Sequence, residues 1–262
     1  MDHLKDLKII ITAAGSGIGA EIAKTLVSNG SNVLVCDKDE LALERLKNDC
    51  PGITTIQADV SNESDVSRCF EEAKSQFGSL DALINNAGVS GPSAKLEDIE
   101  PKDWDETIKI NLTGTFMCSK AAIPLLKKSG GGSIINIGSS SSFMGTPLRS
   151  AYTASKWALI GLTKTWAMEY GKDKIRSNTI CPTSVSGERI EGVIKRDAKY
   201  RSTTAKKIRE AYLSQNSLKT FIESDEIAGM VIYLLSPLAK NISGQMLVID
   251  GHTETLAMPE ID

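Results

Sequence analysis

The sequence predicts an α/β fold: one doubly wound parallel sheet of about seven strands, with helices on both faces. Two observations carry this prediction. Short apolar runs alternate with amphipathic stretches along the 262 residues, which is the spacing of βαβ units. Several runs are also continuously apolar and rich in β-branched residues, as parallel strands covered on both faces are. The predicted strands are residues 8–12, 32–36, 53–57, 82–85, 133–137, 176–180 and 246–250.

Helical patterns fill the intervals between these strands. One longer stretch, residues 186–220, is charged and helix-prone and lies between the sixth and seventh strands. It fits either a solvated helical excursion or a lid over the carboxyl ends of the strands, where such sheets bind ligands. No linker interrupts the chain, so we expect one domain over residues 1–262 with a helical substrate lid at about 186–220. The predicted helices lie near residues 17–29, 39–49, 62–77, 101–128, 151–171 and 224–236.

The bulk composition argues against several classes of protein. Hydrophobic residues make up 41% and charged residues 24% of the chain, which is ordinary for a globular protein. The net charge of -3 provides no basic field for nucleic acid. No apolar run is long enough to span a membrane, and the N-terminus lacks the features of a signal peptide. The five scattered cysteines and two histidines form no CxxC pair or ligand cluster, so we expect no disulfide framework, no metal site and a cytoplasmic location.

A glycine-rich stretch follows the first strand and opens the first helix. Residues 15–20 match G-x-G-x-x-[GA], whose glycines permit a tight turn and let the backbone approach a pyrophosphate. The N-terminus of the following helix adds unpaired N–H groups and a favourable dipole. The pattern predicts a dinucleotide site of Rossmann type, formed by Gly15, Ser16, Gly17, Ile18 and Gly19.

An acidic residue ends the second strand. Asp37 lies 18 residues after Gly19, near the spacing at which a carboxylate accepts the ribose hydroxyls of adenosine. Such a carboxylate repels a 2′-phosphate, so NAD is predicted over NADP, although Lys38 beside it weakens this argument. Asp37 could instead cap the next helix, but Asp39 is equally placed to do so. A methyltransferase also has a glycine loop and an acid here, so downstream residues must decide.

A tyrosine and a lysine share a helix face further along the chain. Tyr152 and Lys156 are four residues apart and therefore lie one turn apart. Tyrosine has a pKa of about 10 and is a poor acid–base group at neutral pH. A nearby ammonium stabilises the phenolate and lowers that pKa, which makes the tyrosine a usable proton shuttle. The pattern Y-x-x-x-K alone is frequent by chance.

Polar residues at strand ends strengthen the chemical interpretation. Ser139 follows the fifth strand, where the sheet presents ligand-facing side chains, whereas residues 140–142 are predicted to be solvated loop serines. The stretch LINNAGVSG (83–91) suits either a turn beside a ligand or an Asx-turn. Asn111 is a polar residue between apolar neighbours, which predicts a partly buried helix.

Taken together, these stretches resemble the classical short-chain dehydrogenase/reductase family. Six motifs in the family's order, covering nearly the whole chain, are far more specific than any one of them, and they exclude the methyltransferase. The motifs are TAAGSGIG (12–19), NNAG (85–88), NLTGTF (111–116), INIGSS (135–140), YTASK (152–156) and ISGQMLVIDG (242–251).

The resemblance implies a role for each catalytic residue. Tyr152 is expected to be the general acid/base, and Lys156 to lower its pKa and hold the nicotinamide ribose. Ser139 is expected to polarise the substrate oxygen, and Asn111 to hold a water in a proton relay through Lys156. The implied NAD contacts are Gly15, Ser16, Gly17, Ile18, Gly19, Asp37, Asp59, Val60, Asn86, Ala87, Gly88, Tyr152, Lys156, Pro182 and Val185.

The sequence departs from the family's pattern at two places. Ala13 stands where the family has glycine after the threonine, and we expect the fold to tolerate the added methyl with a slightly altered loop. After the sixth strand, Thr183 replaces a glycine and Gly187 replaces a threonine that lies near the nicotinamide amide. Ser184 or Ser186 could take over that contact.

The resulting hypothesis is an oxidoreductase that transfers a hydride between NAD and a secondary alcohol or ketone. The rivals are an NADPH-dependent ketoreductase of acyl or other carbonyl substrates and a non-catalytic NAD-binding sensor or scaffold. Aromatic residues make up only 5% of the chain and the nearby loops are rich in serine, which favours a polyol, sugar or hydroxy acid. The family further implies a homotetramer, with a homodimer as the second choice.

Charged residues near the tyrosine are the candidate substrate contacts. Arg149, three residues before Tyr152, is placed either to clamp a carboxylate, sulfonate or phosphate, or to face solvent or pair with an acid. Arg189 and Arg196 in the expected lid carry the same alternatives, and Glu188 is a further candidate.

Overall fold

A computed structural model of the chain describes residues 2–257. Their strands form one seven-stranded parallel sheet. The strands are β1 (Lys8–Thr12), β2 (Asn32–Asp37), β3 (Thr54–Gln57), β4 (Ala82–Asn85), β5 (Gly132–Ile137), β6 (Ile175–Pro182) and β7 (Met246–Ile249). The sheet order is β3-β2-β1-β4-β5-β6-β7, so the winding reverses between β1 and β4. Sheets of this kind bind ligands in the crevice outside such a reversal.

The helices begin and end where local sequence signals place them. Asp39 accepts a hydrogen bond from the Ala42 N–H and caps the second helix, and Asn62 caps the third in the same way. Gly78, with φ of 72°, ends the third helix in the left-handed region. The helices are α1 (Gly17–Ser28), α2 (Glu40–Asp49), α3 (Glu63–Phe77), α4 (Pro101–Ile108), α5 (Gly114–Lys128), α6 (Ser150–Tyr170), α7 (Glu188–Tyr200), α8 (Ala205–Ser214) and α9 (Ser224–Leu235).

Alternate side chains of β1 enter two apolar layers. In β1, Ile9 and Ile11 pack on the face covered by α1, α2 and α9, whereas Ile10 packs on the face covered by α3 and α5. All three isoleucines are fully buried, so the strand's continuously apolar sequence satisfies both layers. The predicted doubly wound sheet with helices on both faces is confirmed.

Two predicted helical stretches differ in detail from the structure. Residues 101–128 are not one continuous helix, because the backbone makes a π-helical turn over Lys109–Thr113 between α4 and α5. Residues 186–220 contain α7 and α8, which pack together around a small apolar cluster that includes Ile190, Ile194 and Ile208. Within residues 2–257, no helix combines the length and apolar character that crossing a bilayer requires.

Candidate active site

The turn after β1 offers free backbone donors at the carboxyl end of the sheet. Gly17 has φ of 57°, and no atom lies within 4 Å of the position that a Cβ would take there. Ser16 precedes α1 without making a side-chain cap, so the N–H groups of the first turn stay available to an anion. At Gly19, by contrast, a Cβ would come within 2.5 Å of Asn86 Nδ2, so only glycine fits between the loop and its neighbour. This cradle suits a pyrophosphate.

Asp37 holds the glycine loop and leaves the helix cap to Asp39. Its Oδ2 accepts from the Gly15 N–H over 2.9 Å, and its Oδ1 accepts from the Asp39 N–H over 3.0 Å. The Asp39 side chain in turn caps α2. Asp39 therefore takes the helix-capping role that was also predicted for Asp37, and the Asp37 carboxylate stays at the edge of the crevice.

The turn after β4 is bonded directly to the end of β1. Thr12 Oγ1 accepts from the N–H groups of Asn86 and Ala87, each over 3.1 Å, and Asn86 Nδ2 donates to the Thr12 and Ala13 carbonyls. Thr12 was not individually predicted to be a site residue. Its position just before the glycine loop is the signal that could have identified it. Ala13 adopts φ of 49°, the left-handed region that favours glycine.

The segment after β3 approaches the same crevice from the other side. The Ala58 N–H donates to the Asp37 carbonyl over 2.9 Å, which brings the next two residues, Asp59 and Val60, beside the end of β2. Val60 is buried against Gly114, where a Cβ would come within 2.9 Å of it. Asp59 Oδ1 accepts from the Ser61 N–H.

The tyrosine and lysine lie together on α6, as their spacing predicts. Lys156 Nζ is 5.7 Å from the centre of the Tyr152 ring and donates to the Ile137 carbonyl at the end of β5 over 2.8 Å. Lys156 is only 3% exposed, so its position is set by the sheet and not by solvent.

The environment lowers the pKa of Tyr152 below its ordinary value. Burial raises this pKa, but the ammonium of Lys156 and the guanidinium of Arg189 lower it more. A hydrogen bond with Ser139 and the charge of Arg149 act in the same direction. The pKa of Lys156 is also lowered, first by burial and then by Arg189, while Tyr152 raises it. The Tyr152 phenol therefore loses its proton at a lower pH than an ordinary tyrosine does.

Ser139 faces the phenol from the loop after β5. Besides its bond with Tyr152, its Oγ accepts from the Ser141 N–H over 3.2 Å at the start of a short 3-10 helix, Ser140–Ser142. The prediction that Ser140, Ser141 and Ser142 are solvated was wrong: all three are buried, because this turn packs under the N-terminal part of α6.

Asn111 occupies the centre of the π-helical turn and is fully buried. Its Oδ1 accepts from the Val89 N–H over 2.7 Å, and its Nδ2 donates to the Val89 carbonyl and to Ser155 Oγ, each over 3.0 Å. A Cβ added to Gly88 would lie 3.4 Å from both Asn111 Oδ1 and Lys156 Nζ. The turn therefore aims the amide at α6, and π-helical turns are frequent at functional sites.

The residues after β6 contact two other segments of the chain, around residues 222–223 and at residue 253. Pro182 ends the strand, and Val185 pairs with Ile222 in an isolated bridge. Thr183, which replaces the family's glycine, interacts with Thr253 over 3.4 Å. Ser186 donates to Glu223 over 2.6 Å, so that hydroxyl is already engaged.

Arg149 is buried and already has an acidic partner. The residue is 7% exposed, and its Nη2 lies 3.4 Å from Asp197 Oδ1 on α7, while its Nη1 is 3.5 Å from the Ser90 carbonyl. Asp197 was not among the residues predicted from sequence, and no local signal could have found it, because its partner lies 48 residues away. Glu188 is exposed at the start of α7.

Known proteins match this chain over almost its whole length. The family model described as enoyl-(acyl carrier protein) reductase matches residues 12–252. D-β-hydroxybutyrate dehydrogenase of Rhizobium meliloti is 34% identical over 251 residues, which cover 92% of this chain and 96% of that protein. The crystal structure of levodione reductase shares 30% identity with a TM-score of 0.89, covering 94% of this chain and 97% of that one. The structure of NAD+-bound xylitol dehydrogenase shares 29% identity with a TM-score of 0.89, covering 94% and 98%. The chain therefore belongs to the classical short-chain dehydrogenase/reductase family of oxidoreductases.

Proposed function

We propose that this protein is a dehydrogenase that transfers a hydride between NAD and a small polar secondary alcohol, or the corresponding ketone in reverse. One observation carries the proposal. Tyr152 has a lowered pKa, to which a hydrogen bond with Ser139 contributes, and lies one helical turn from Lys156 at the same end of the sheet as the glycine loop. A tyrosine in this state is an effective base at a pH where an ordinary phenol is protonated.

The proposed mechanism assigns a task to each residue. Ser139 holds the substrate hydroxyl beside Tyr152, and the phenolate takes the hydroxyl proton. Lys156 stabilises the phenolate, and Asn111 positions the relay that returns the proton to solvent. Bound NAD supplies the hydride acceptor.

The glycine loop and its neighbours are proposed to hold the dinucleotide. The free N–H groups at the start of α1 fit the pyrophosphate, and the Asp37 carboxylate fits the adenosine ribose. The same negative charge disfavours a 2′-phosphate, which supports NAD over NADP. Asp59 and Val60 are proposed to border the adenine, whereas Asn86, Ala87, Gly88, Pro182 and Val185 line the remainder of the cleft.

Three further features complete the proposal. Helices α7 and α8 act as the substrate lid, supported by the contact of Asp197 on α7 with Arg149.

The protein is a homotetramer, with a homodimer as the second choice. An apolar groove between α5 and α6, beside the exposed Phe116 and Trp157, supports a contact between copies. Two apolar residues near the end of α6 differ in their exposure to such a contact. Trp166 belongs to the core, whereas Met168 is 85% exposed. We place the protein in the cytoplasm.

A panel of alcohols tests this function. Purified protein is incubated with NAD or NADP and with polyols, sugars, sugar acids and hydroxy acids, and the formation of reduced cofactor is followed. We expect turnover with NAD and tighter binding of NADH than NADPH. Tighter binding of NADPH together with reduction of acyl ketones favours the NADPH-dependent ketoreductase. No turnover with any substrate, together with a biological activity that survives Tyr152→Phe, favours the sensor or scaffold.

A further inference from the structure

The first turn of α7 brings a positive charge to the catalytic tyrosine. Only residues 183–187 separate the end of β6 from the start of this helix. Gly187, with φ of 130°, turns the chain there, and Arg189 follows as the second helical residue. Its guanidinium lowers the pKa of both Tyr152 and Lys156, and Arg189 lies two helical turns before Arg196, on the same face of α7.

The later part of α7 is fixed over the loop that follows β4. Arg196 Nη2 donates to Ser90 Oγ over 3.0 Å. One residue on, Asp197 accepts from Ser93 Oγ over 3.2 Å and faces Arg149. These contacts hold the later part of α7 against the loop at Ser90 and Ser93 and against Arg149.

Two arginines along this cleft, Arg149 and Arg189, differ in whether an acidic residue pairs with them. The charge of Arg149 is balanced by the buried carboxylate of Asp197. Arg189 is exposed, and it forms no ion pair or hydrogen bond with any residue in the described range 2–257. A cation beside a reactive centre without an internal partner is available to a ligand.

We propose that Arg189 binds a carboxylate of the substrate, so that the alcohols oxidised at this site are short hydroxy acids. The anion-binding role considered for Arg149 passes to Arg189, because Arg149 is already paired. A guanidinium holds a carboxylate through two parallel hydrogen bonds, which orients the hydroxyl carbon as well as binding it. The carboxylate would otherwise oppose formation of the Tyr152 phenolate, and Arg189 offsets that repulsion. This inference rests on the proposed dehydrogenase function.

Matched pairs of substrates and variants test the inference. Short 2- and 3-hydroxy carboxylates and their neutral amides are compared as substrates of the wild type, Arg189→Ala, Arg189→Lys and Lys195→Ala. Lys195 is an exposed cation on the same helix and serves as the control. We expect the wild type to prefer acid over amide in kcat/KM. Arg189→Ala should reduce that preference about 10- to 100-fold, Arg189→Lys should restore part of it, and Lys195→Ala should leave it unchanged.

The outcomes separate this inference from the proposed function. If acids and amides are oxidised equally, or if Arg189→Ala affects both equally, the carboxylate assignment is overturned while the dehydrogenase assignment stands. If no alcohol is oxidised, the dehydrogenase assignment fails. In that case the binding of butyrate in the presence of NADH, measured by calorimetry, decides about Arg189: binding that Arg189→Ala weakens supports the anion site, and equal or undetectable binding in both proteins rejects it.

Discussion

The proposed cofactor side and the proposed substrate side of the cleft are built from different kinds of contact. On the cofactor side, backbone N–H groups and carbonyls at strand ends take part in every bond that holds the loops, as between Gly15 and Asp37 or between Thr12 and Asn86. On the substrate side, α7 is held to the site by side chains alone, through Arg149, Arg196 and their partners. Each of these loop bonds depends on a single side chain, because its other partner is a backbone group, whereas each bond that holds α7 depends on two side chains.

The difference separates a side whose loops are held through the backbone of the sheet from a side held by individual side chains. The geometry of the proposed cofactor side follows from the sheet. The substrate side depends on individual charged residues, so single substitutions there can redirect specificity while leaving the hydride chemistry intact. Each side therefore predicts a distinct response to mutation.

The largest effect is expected where both sides meet, at Tyr152. Tyr152→Phe removes the proton acceptor but keeps the ring, so kcat should fall by about 10²- to 10⁴-fold while NADH binds nearly as before. Steady-state kinetics and a fluorescence titration of NADH measure both quantities. Unchanged kcat would assign proton transfer to another group.

The next effect tests the substrate side through its buried ion pair. Asp197→Asn leaves the Arg149 guanidinium buried without a counter-charge, so the free energy of unfolding should fall by about 3 kcal/mol and KM should rise. Glu191→Gln is the control, because it breaks a half-exposed ion pair of the same helix, between Glu191 on α7 and Arg209 on α8. The control should cost less than about 1 kcal/mol. Equal losses in chemical denaturation would show that the Arg149 pair has no special role.

A smaller effect is expected on the cofactor side, at Asp37. Asp37→Ser removes the charge that opposes a 2′-phosphate, so the preference for NADH over NADPH should shrink by about tenfold, mostly through tighter NADPH binding. Dissociation constants for both cofactors measure it. A preference that does not change would mean that the ribose is held elsewhere.

The smallest effect tests the one strained residue of the glycine loop. Ala13 is held at φ of 49°, so Ala13→Gly should stabilise the fold by about 1 kcal/mol without changing the cofactor contacts. Ala14→Gly is the control, because Ala14 is buried and its methyl packs in the core, so the substitution should destabilise. Chemical denaturation of both variants compares them. A loss of stability in Ala13→Gly would mean that the methyl of Ala13 contributes packing that outweighs the strain.

The sequence was sufficient wherever local patterns decide the structure. The continuously apolar run at residues 8–12, the glycine loop and the four-residue spacing of Tyr152 and Lys156 each specify their geometry within a few residues. The π-helical turn at Asn111 was missed because no helical pattern distinguishes it from an ordinary turn. Pairing with an acid was one of the alternatives predicted for Arg149, but Asp197 was not identified as the partner because tertiary packing brings these distant residues together.

The same reason explains the error at the serines after β5. A run of serines next to a glycine is typical of a solvated loop. Here, however, the Ser142 hydroxyl accepts a hydrogen bond from the Ser139 N–H, and the turn that contains both residues packs against α6. Burial of such a turn depends on the helix that follows, which composition alone does not encode.

The state of the phenol can be measured without any substrate. Ultraviolet titration of tyrosine ionisation in the wild type, Tyr152→Phe and Lys156→Met reports its pKa directly. The structure predicts one phenol in the wild type that ionises below the usual range, is missing in Tyr152→Phe, and moves to higher pH in Lys156→Met, where burial acts unopposed by the ammonium. Identical curves for the wild type and Tyr152→Phe below the usual tyrosine range would contradict the assignment of Tyr152 as the acidified base.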